Sequence, residues 1–356
     1  MINVASFMTM TNLAELLSES HSDYLVYDLG RRVQPLESQV FDAICAQQRP
    51  YPYPLQDHAW FAVVFWPKLQ AEQPEPFLWF LKMPLDERGL LNHAAQQEFM
   101  AHVIALLGQQ ITGALSDEQE QQLQQSAYLF TPSEAKRAAL HAQLITTWQR
   151  PPSRYFSAAL TEFQTPTPDG WQHLGLQGIH DVAMRLAEHP EVVKAITENF
   201  ATYPEPLQNA LAEALEHTQP PVQLRDKLLP LLNAEQMQLR MNALRALAGF
   251  ANTAEMQQAL GQRIPLATAD ELVIITARLW PALIGASPEG ASSGSSLMES
   301  YLLRLAELNN AALFAGIVRD LLRLPETRIF ALGLVQRNDL PTPLYQVWQQ
   351  FIGAKS

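Results

Sequence analysis

The chain has 356 residues, 47% of them hydrophobic and 17% charged, with a formal net charge of −12. That length suits two domains, or one domain with a repeat array. The hydrophobic content supports a sizeable core and excludes a chain disordered throughout. The negative field opposes non-specific binding to nucleic acid or anionic membrane, and no basic run is longer than the pair Arg31-Arg32.

Cys45 is the single cysteine, so an internal disulfide and a zinc site built on several thiolates are both excluded. It falls in a predicted helix with no cationic sequence neighbour, the setting of a packed small hydrophobe rather than a reactive thiol. The first residues, Met1 to Ser6, carry no basic segment and do not read as a signal peptide. No window approaches 18 uninterrupted apolar residues, so no membrane span is expected and the expected compartment is the cytoplasm.

A short helix is predicted over Thr11–Glu19, where Leu13, Leu16 and Leu17 follow the helical spacing. Tyr24–Asp28 reads as a strand closed by Leu29-Gly30. A second helix follows Pro35 and carries Val40, Phe41 and Ile44. Arg49–Pro54 alternates proline and tyrosine, which removes backbone donors and predicts a polyproline-like connector. His58–Trp66 is almost wholly apolar and predicts a central strand covered on both faces. After a polar loop from Pro67 to Pro76, Phe77–Met83 returns as its hairpin partner. Phe77, Trp79, Leu81 and Met83 share one face by the two-residue period, and Trp60, Phe65, Trp79 and Leu81 are the expected core of the sheet. A long helix from near Asp86 runs along Leu91, Ala95, Phe99, Val103 and Leu106 and ends at Gly108.

Thr131-Pro132-Ser133-Glu134 predicts a helix start with Thr131 as the cap. That helix runs to about Trp148, and a second one covers Tyr155–Phe163. Gln164–Gly170 stacks turn residues without an apolar period and is the expected domain boundary. Beyond it, amphipathic helices recur at intervals of about 30–40 residues, the spacing of stacked helical hairpins. The expected pairs are 172–188 with 191–200, 205–217 with 221–232, 235–249 with 253–263, 269–283 with 297–308, and 311–323 with 326–336. A last helix covers 342–352, and a Gly/Ser-rich loop spans Gly285–Ser296. Leu239–Leu247 resembles the inner helix of a HEAT repeat, with an aliphatic-Arg pair followed by spaced Ala and Leu. The expected architecture is an α+β N-terminal domain over 1–112, a small antiparallel sheet with helices. A helical connector over 113–170 and an all-α HEAT-like array over 171–356 complete it.

Literal matches to catalytic patterns lack their context. Gly290–Gly294 fits G-x-S-x-G but lies in the Gly/Ser-rich loop between helices, without the preceding strand a nucleophile elbow needs. Ser133–Lys136 fits S-x-x-K, which helix capping explains. No glycine-rich phosphate loop is present, so no cofactor is expected. His173, His180, Asp181, Glu188 and His189 read as a polar helix face rather than a metal site, as do His93 and His102.

The most suggestive polar cluster follows the strands: Asp28, Arg31 and Arg32 after the first, and Lys82, Asp86 and Glu87 after the hairpin. A carboxylate pair near a lysine suits acid/base or cation chemistry. The plainer reading places Asp86 and Glu87 at the dipole of the next helix. Tyr27–Arg31 and Phe80–Glu87 resemble a bacterial protein family designated domain of unknown function 3549, and the similarity extends over most of the chain. That resemblance implies a bacterial cytoplasmic setting and brings no activity, substrate or catalytic residue.

The favoured reading is a non-enzymatic scaffold that binds a protein or peptide with a basic patch. Arg240, Asn242 and Arg245 on an inner helix, with Arg31, Lys82, Asp86 and Glu87, are its candidate contacts. An enzyme with a site at Lys82, Asp86 and Glu87 is one alternative. A nucleic-acid-associated array using Arg225, Arg240 and Arg245 is the other, and the net charge weighs against it.

Overall fold

The computed structural model describes residues 10–68, 75–108, 111–112, 116–284, 296–337 and 339–353. Contacts divide the chain into two units, Met1–Pro132 with Arg323–Pro325, and Ser133–Leu322 with Glu326–Ser356.

In the first unit, α1 (Leu13–Glu19) leads into β1 (Ser22–Asp28), β2 (Gln34–Leu36) and α2 (Ser38–Cys45). β3 (His58–Pro67), β4 (Phe77–Pro84), α3 (His93–Leu107) and α4 (Asp117–Gln124) complete it. The sheet is antiparallel throughout, in the order β2-β1-β3-β4. β1 lies beside the β3–β4 hairpin as expected; three-residue β2 is too short to carry a period and was not foreseen.

Alternation decides what the core sees. Phe61, Val63 and Phe65 of β3, with Trp79, Leu81 and Met83 of β4, are buried in one cluster with residues of α1, α2 and α3. Trp60 has the opposite parity and is half-buried on the other face, where its ring meets Phe130 edge-on. It therefore leaves the expected core set. Ala62 and Val64 are buried on that face too, as the unbroken apolar run of β3 implied.

α3 starts later than expected. Asn92 caps it by accepting from the Ala95 amide, and Leu91 instead pairs with Leu85. Between them the chain turns at Gly89, whose φ of +83° suits a residue without Cβ. Gly108 ends the helix as expected. Cys45 is buried, and burial pushes its thiol well above the ordinary value, consistent with an inert packed residue.

The second unit is helical. It begins with α5 (Glu134–Thr147), α6 (Phe156–Gln164), α7 (Leu176–Met184), α8 (Pro190–Asn199), α9 (Glu205–Leu215) and α10 (Val222–Leu228). It continues with α11 (Met237–Ala246), α12 (Ala254–Arg263), α13 (Ala269–Ile274), α14 (Trp280–Leu283), α15 (Leu297–Glu307) and α16 (Ala311–Arg323). The last two helices are α17 (Pro325–Val335) and α18 (Thr342–Gly353).

From α5 to α15 helices pack on the next but one in sequence, making two layers. α5, α7, α9, α11, α13 and α15 form one series; α6, α8, α10 and α12 form the other, with the turn Leu229–Asn233 between α10 and α12. Several expected long helices are shorter, because prolines and tight turns interrupt them. Pro230 and Pro265 begin such turns after α10 and α12. Pro281 has no N–H to offer the Ala277 carbonyl, and a wide π-type turn spans Ile275–Leu279 just before it.

The unit boundary differs from the expected one. It falls at Pro132/Ser133, and Gln164–Gly170 lies inside the second unit. Buried Glu162 holds that turn by accepting from the Thr167 amide and hydroxyl at 2.9 and 3.0 Å. α6, on one side of the turn, packs on α7 and α8 on the other. The helix start at 131–134 also shifts: Ser133 is the cap and accepts from the Lys136 amide. The Gly285–Ser296 loop, with the Gly290–Gly294 match, and most of the Pro67–Pro76 loop lie outside the described residues.

Trp79 is 5% exposed, with ring centroids 4.4 Å from Phe65 and 5.5 Å from Phe99. Trp79→Ala is expected to destabilise the first unit by about 3–5 kcal/mol in denaturant unfolding. A loss below about 1 kcal/mol would contradict this packing.

Candidate functional site

β1 and β4 run in the same direction on either side of β3, so their C-terminal ends lie at one end of the sheet. The charges there do not converge. Asp28 is fully buried and accepts from the Gly30, Arg31 and Arg32 amides and from the Tyr51 hydroxyl at 2.7 Å. Arg31, 1% exposed, donates through Nε and Nη2 to the Pro54 carbonyl. These residues fasten the turn after β1 to the proline-rich connector. Lys82 places its ammonium 4.4 Å above the Trp60 ring, a cation–π contact.

Asp86 caps its own turn. It accepts from the Arg88 and Leu90 amides at 2.8 Å and pairs with the Arg88 guanidinium at 3.4 Å. Burial opposes its charge, but these donors outweigh it and hold the carboxyl below its ordinary value. It does not sit at the start of α3, which Asn92 caps. Glu87 is exposed, and among the described residues no ion pair joins Lys82 to Asp86 or Glu87.

Arg240 and Asn242 of the second unit point inward. Arg240, 9% exposed, donates to Glu271 at 2.7 Å and to the Ala234 and Glu235 carbonyls. Glu271 also holds Arg263 at 2.8 Å and closes a capping box with Thr268. One buried carboxylate thus ties α11, α12 and α13 together. Asn242 is 1% exposed and donates to Gln208 and Asn209 of α9 at 2.9 and 2.7 Å. The expectation that Arg240 and Asn242 contact a partner meets a different placement: both are buried between helices. Arg225 pairs with Asp226 and Glu255.

The densest charged cluster surrounds Glu216, which sequence reasoning passed over. It follows α9 directly and is 1% exposed. Arg245 of α11 reaches it at 2.7 Å, and Arg278 at 3.1 Å. Arg245 also pairs with Glu213 at 3.2 Å. A carboxylate at a helix C-terminus opposes the helix dipole, so it needs such partners. His217 Nε2 lies 3.5 Å from Glu216, and the His217 ring stacks on that of His180 of α7 at 6.2 Å. His180 and Asp181 are buried rather than on a polar face; Asp181 accepts from the Ser153 amide and Gln177. His173 and Glu188 are exposed, and His189 is 3.6 Å from Glu191. Among the described residues no group of three or more His, Cys, Asp or Glu is placed to hold a metal ion.

Burial pushes the pKa of His180 down to about 4. Burial opposes the charge of Glu216, but Arg278, His217 and Arg245 outweigh it and hold the carboxyl down at about 2. Both groups bind protons more weakly when folded than when unfolded, so both favour folding at neutral pH and lose that contribution in acid. The His180 part is lost between pH 6.5 and about 4, and the Glu216 part between pH 4.5 and about 2. His180→Phe is expected to flatten the stability profile between pH 6.5 and 4, an effect on the order of 2–4 kcal/mol, read by denaturant midpoints. An unchanged profile would contradict the burial of an uncharged His180.

The sequence profile of the family described as Protein of unknown function (DUF3549) matches residues 8–351. The chain therefore belongs to that family. No curated protein and no solved structure matches it.

Proposed function

We propose that this chain is a non-enzymatic scaffold of the bacterial cytoplasm, whose helical unit is a HEAT-like array that binds a protein or peptide partner. The observation that carries this reading is the order of packing from α5 to α15, where helices rest on the next but one. Arrays of that kind expose long surfaces and bind along them. No described helix is long and apolar enough to cross a membrane.

The arginine row carries less of this reading, because Arg225, Arg240 and Arg245 each pair with carboxylates of the chain. That pairing, with the net charge of −12, also removes support for nucleic acid as partner. The dispersed placement of Lys82, Asp86 and Glu87 removes support for an enzyme site there. An exposed apolar face on α17 is the better candidate surface. Ile329, Phe330 and Leu332 are 74%, 44% and 47% exposed. At about 100° per residue they fall on one side of the helix, with buried Thr327 and Ala331 on the other. Such faces mark interaction sites.

The test is affinity capture on the full chain from native extract. Ile329→Asp with Phe330→Asp is expected to abolish capture while changing stability by no more than about 0.5 kcal/mol. Arg245→Glu is expected to lower stability by about 3–5 kcal/mol, since it leaves Glu216 short of a partner. Undiminished capture by the α17 variant would remove that face from the proposal. Turnover of a substrate that depends on Lys82 or Asp86 would overturn the non-enzymatic reading.

A further inference from the structure

The layer formed by α9, α11 and α13 carries a second surface, apart from α17. Asn242 and Arg245 of α11 reach Asn209 and Glu213 of α9, in the same order along both helices. Arg240 and Glu271 join the first turns of α11 and α13, while Arg245 and Arg278, at their far ends, share Glu216. The three helices therefore lie parallel, with their N-termini along one edge.

Successive residues turn a helix by about 100°, which fixes what the layer shows outward. On α11, Met237 and Met241 lie opposite buried Leu239, Ala243 and Ala246. On α13, Val273 points outward, and Ile274 adjoins the side of Glu271, which meets α11. Met237 and Val273 are 43% and 45% exposed, and Met241 and Ile274 are half-buried. A shallow apolar groove thus runs between α11 and α13. The furrow beside it, between α9 and α11, is bridged by amides instead, Gln238 and Asn242 both donating to Asn209. The opposite layer is polar outside, where Lys194 and Glu198 of α8 and Gln258 and Gln262 of α12 are exposed.

Two carboxylates stand at the N-terminal end of this groove. Glu235 lies just ahead of α11 and Asp270 in the first turn of α13, both exposed. Among the described residues neither side chain has an ion pair or a hydrogen bond, because Arg240 and Arg263 bond to Glu271 instead. At the other end Arg245 and Arg278 are held by Glu216. The groove is thus apolar along its length and negative, without a matching cation, at one end.

We infer, on the reading of the second unit as a binding array, that this groove takes an amphipathic helix of a partner protein with lysine or arginine in its last turns. Apolar side chains at i, i+3, i+4 and i+7 of that helix lie over Met237, Met241, Val273 and Ile274. The ten residues of α11 span about 15 Å, so about three turns of the partner fill the groove. Its cationic end meets Glu235 and Asp270. That places its C-terminus beside the N-termini of α11 and α13, the favourable arrangement of helix dipoles. The flexible thioethers of Met237 and Met241 adapt to the apolar side chains they meet, and the carboxylates select a basic end.

The test uses the full chain and two fluorescein-labelled, end-capped peptides. One is Ala-Leu-Gln-Ala-Leu-Leu-Gln-Ala-Leu-Lys-Ala-Leu-Leu-Lys-Lys, and the other has glutamate at each lysine. Binding is read by anisotropy. The lysine peptide is expected to bind at least about tenfold more tightly than the glutamate peptide, less so as salt rises. Glu235→Gln with Asp270→Asn is expected to weaken it about fivefold or more. Glu191→Gln with Glu198→Gln on α8, the same change of net charge, is expected to leave it unaltered. Met237→Ser with Val273→Ser is expected to weaken both peptides about fivefold or more, and Ile329→Asp with Phe330→Asp neither. Equal binding of the two peptides, indifference to either groove variant, or an equal effect of the α8 variant would each overturn the inference. Dimerisation of the free chain that Met237→Ser abolishes would also overturn it, by assigning the groove to a second copy. Capture through α17 is measured without these peptides, so either reading can fail alone.

Discussion

A carboxylate taken out of water has to be matched by cations or hydrogen-bond donors, and the second unit is built around two that are. Glu216 and Glu271 are 1% and 0% exposed. Each draws two arginines from other helices: Arg245 and Arg278 on the first, Arg240 and Arg263 on the second. In a layered array each hairpin touches little beyond its neighbours, and apolar helix faces slide past one another at small cost. A buried carboxylate does not tolerate sliding, because losing a guanidinium strands its charge. These pairs hold the helices in register, because losing either partner leaves a buried charge without its match. Asn242 with Gln208 and Asn209, and Tyr301 with Thr276 and the Leu272 carbonyl, repeat the device without charge.

The first unit relies on the same principle at one residue. Asp28 gathers three backbone amides and the Tyr51 hydroxyl. Arg31 then binds the connector at Pro54. A proline-rich segment makes few backbone hydrogen bonds of its own, so side chains must hold it. The segments that carry the family resemblance, 27–31 and 80–87, are thus occupied in fastening turns. Asp28, Arg31 and Asp86 direct their chemistry at the chain itself.

Much of the fold was legible because its signals are local. The alternation of Phe77, Trp79, Leu81 and Met83 specified the buried face of β4, and the apolar run of β3 specified a strand buried on both sides. Helical periodicity with prolines at the breaks placed nearly every helix of the second unit. The errors arose where tertiary partners overrode local chemistry. Gln164–Gly170 has the composition of a linker, yet Glu162 and the packing of α6 on α7 and α8 draw it into the unit. Asp86 looked like the start of a helix, and the turn at Gly89 placed it elsewhere.

The candidate sites were the least legible. Arg240 and Arg245 have the spacing of exposed helix residues, and nothing local reveals that Glu271 and Glu216, some 30 residues away, receive them. Glu216-His217 in sequence is an ordinary polar pair; only the approach of Arg245, Arg278 and His180 makes it a buried hub. The sequence by itself determined the fold class, the order of the longer strands and of most helices, and the absence of any multi-thiolate site. Those properties follow from periodicity, turn chemistry and residue counts, which act over a few neighbours. Tertiary structure alone decided which charges are buried and where one unit ends. Each of those depends on residues distant in sequence meeting in space, and pairwise proximity has no signature in a single chain.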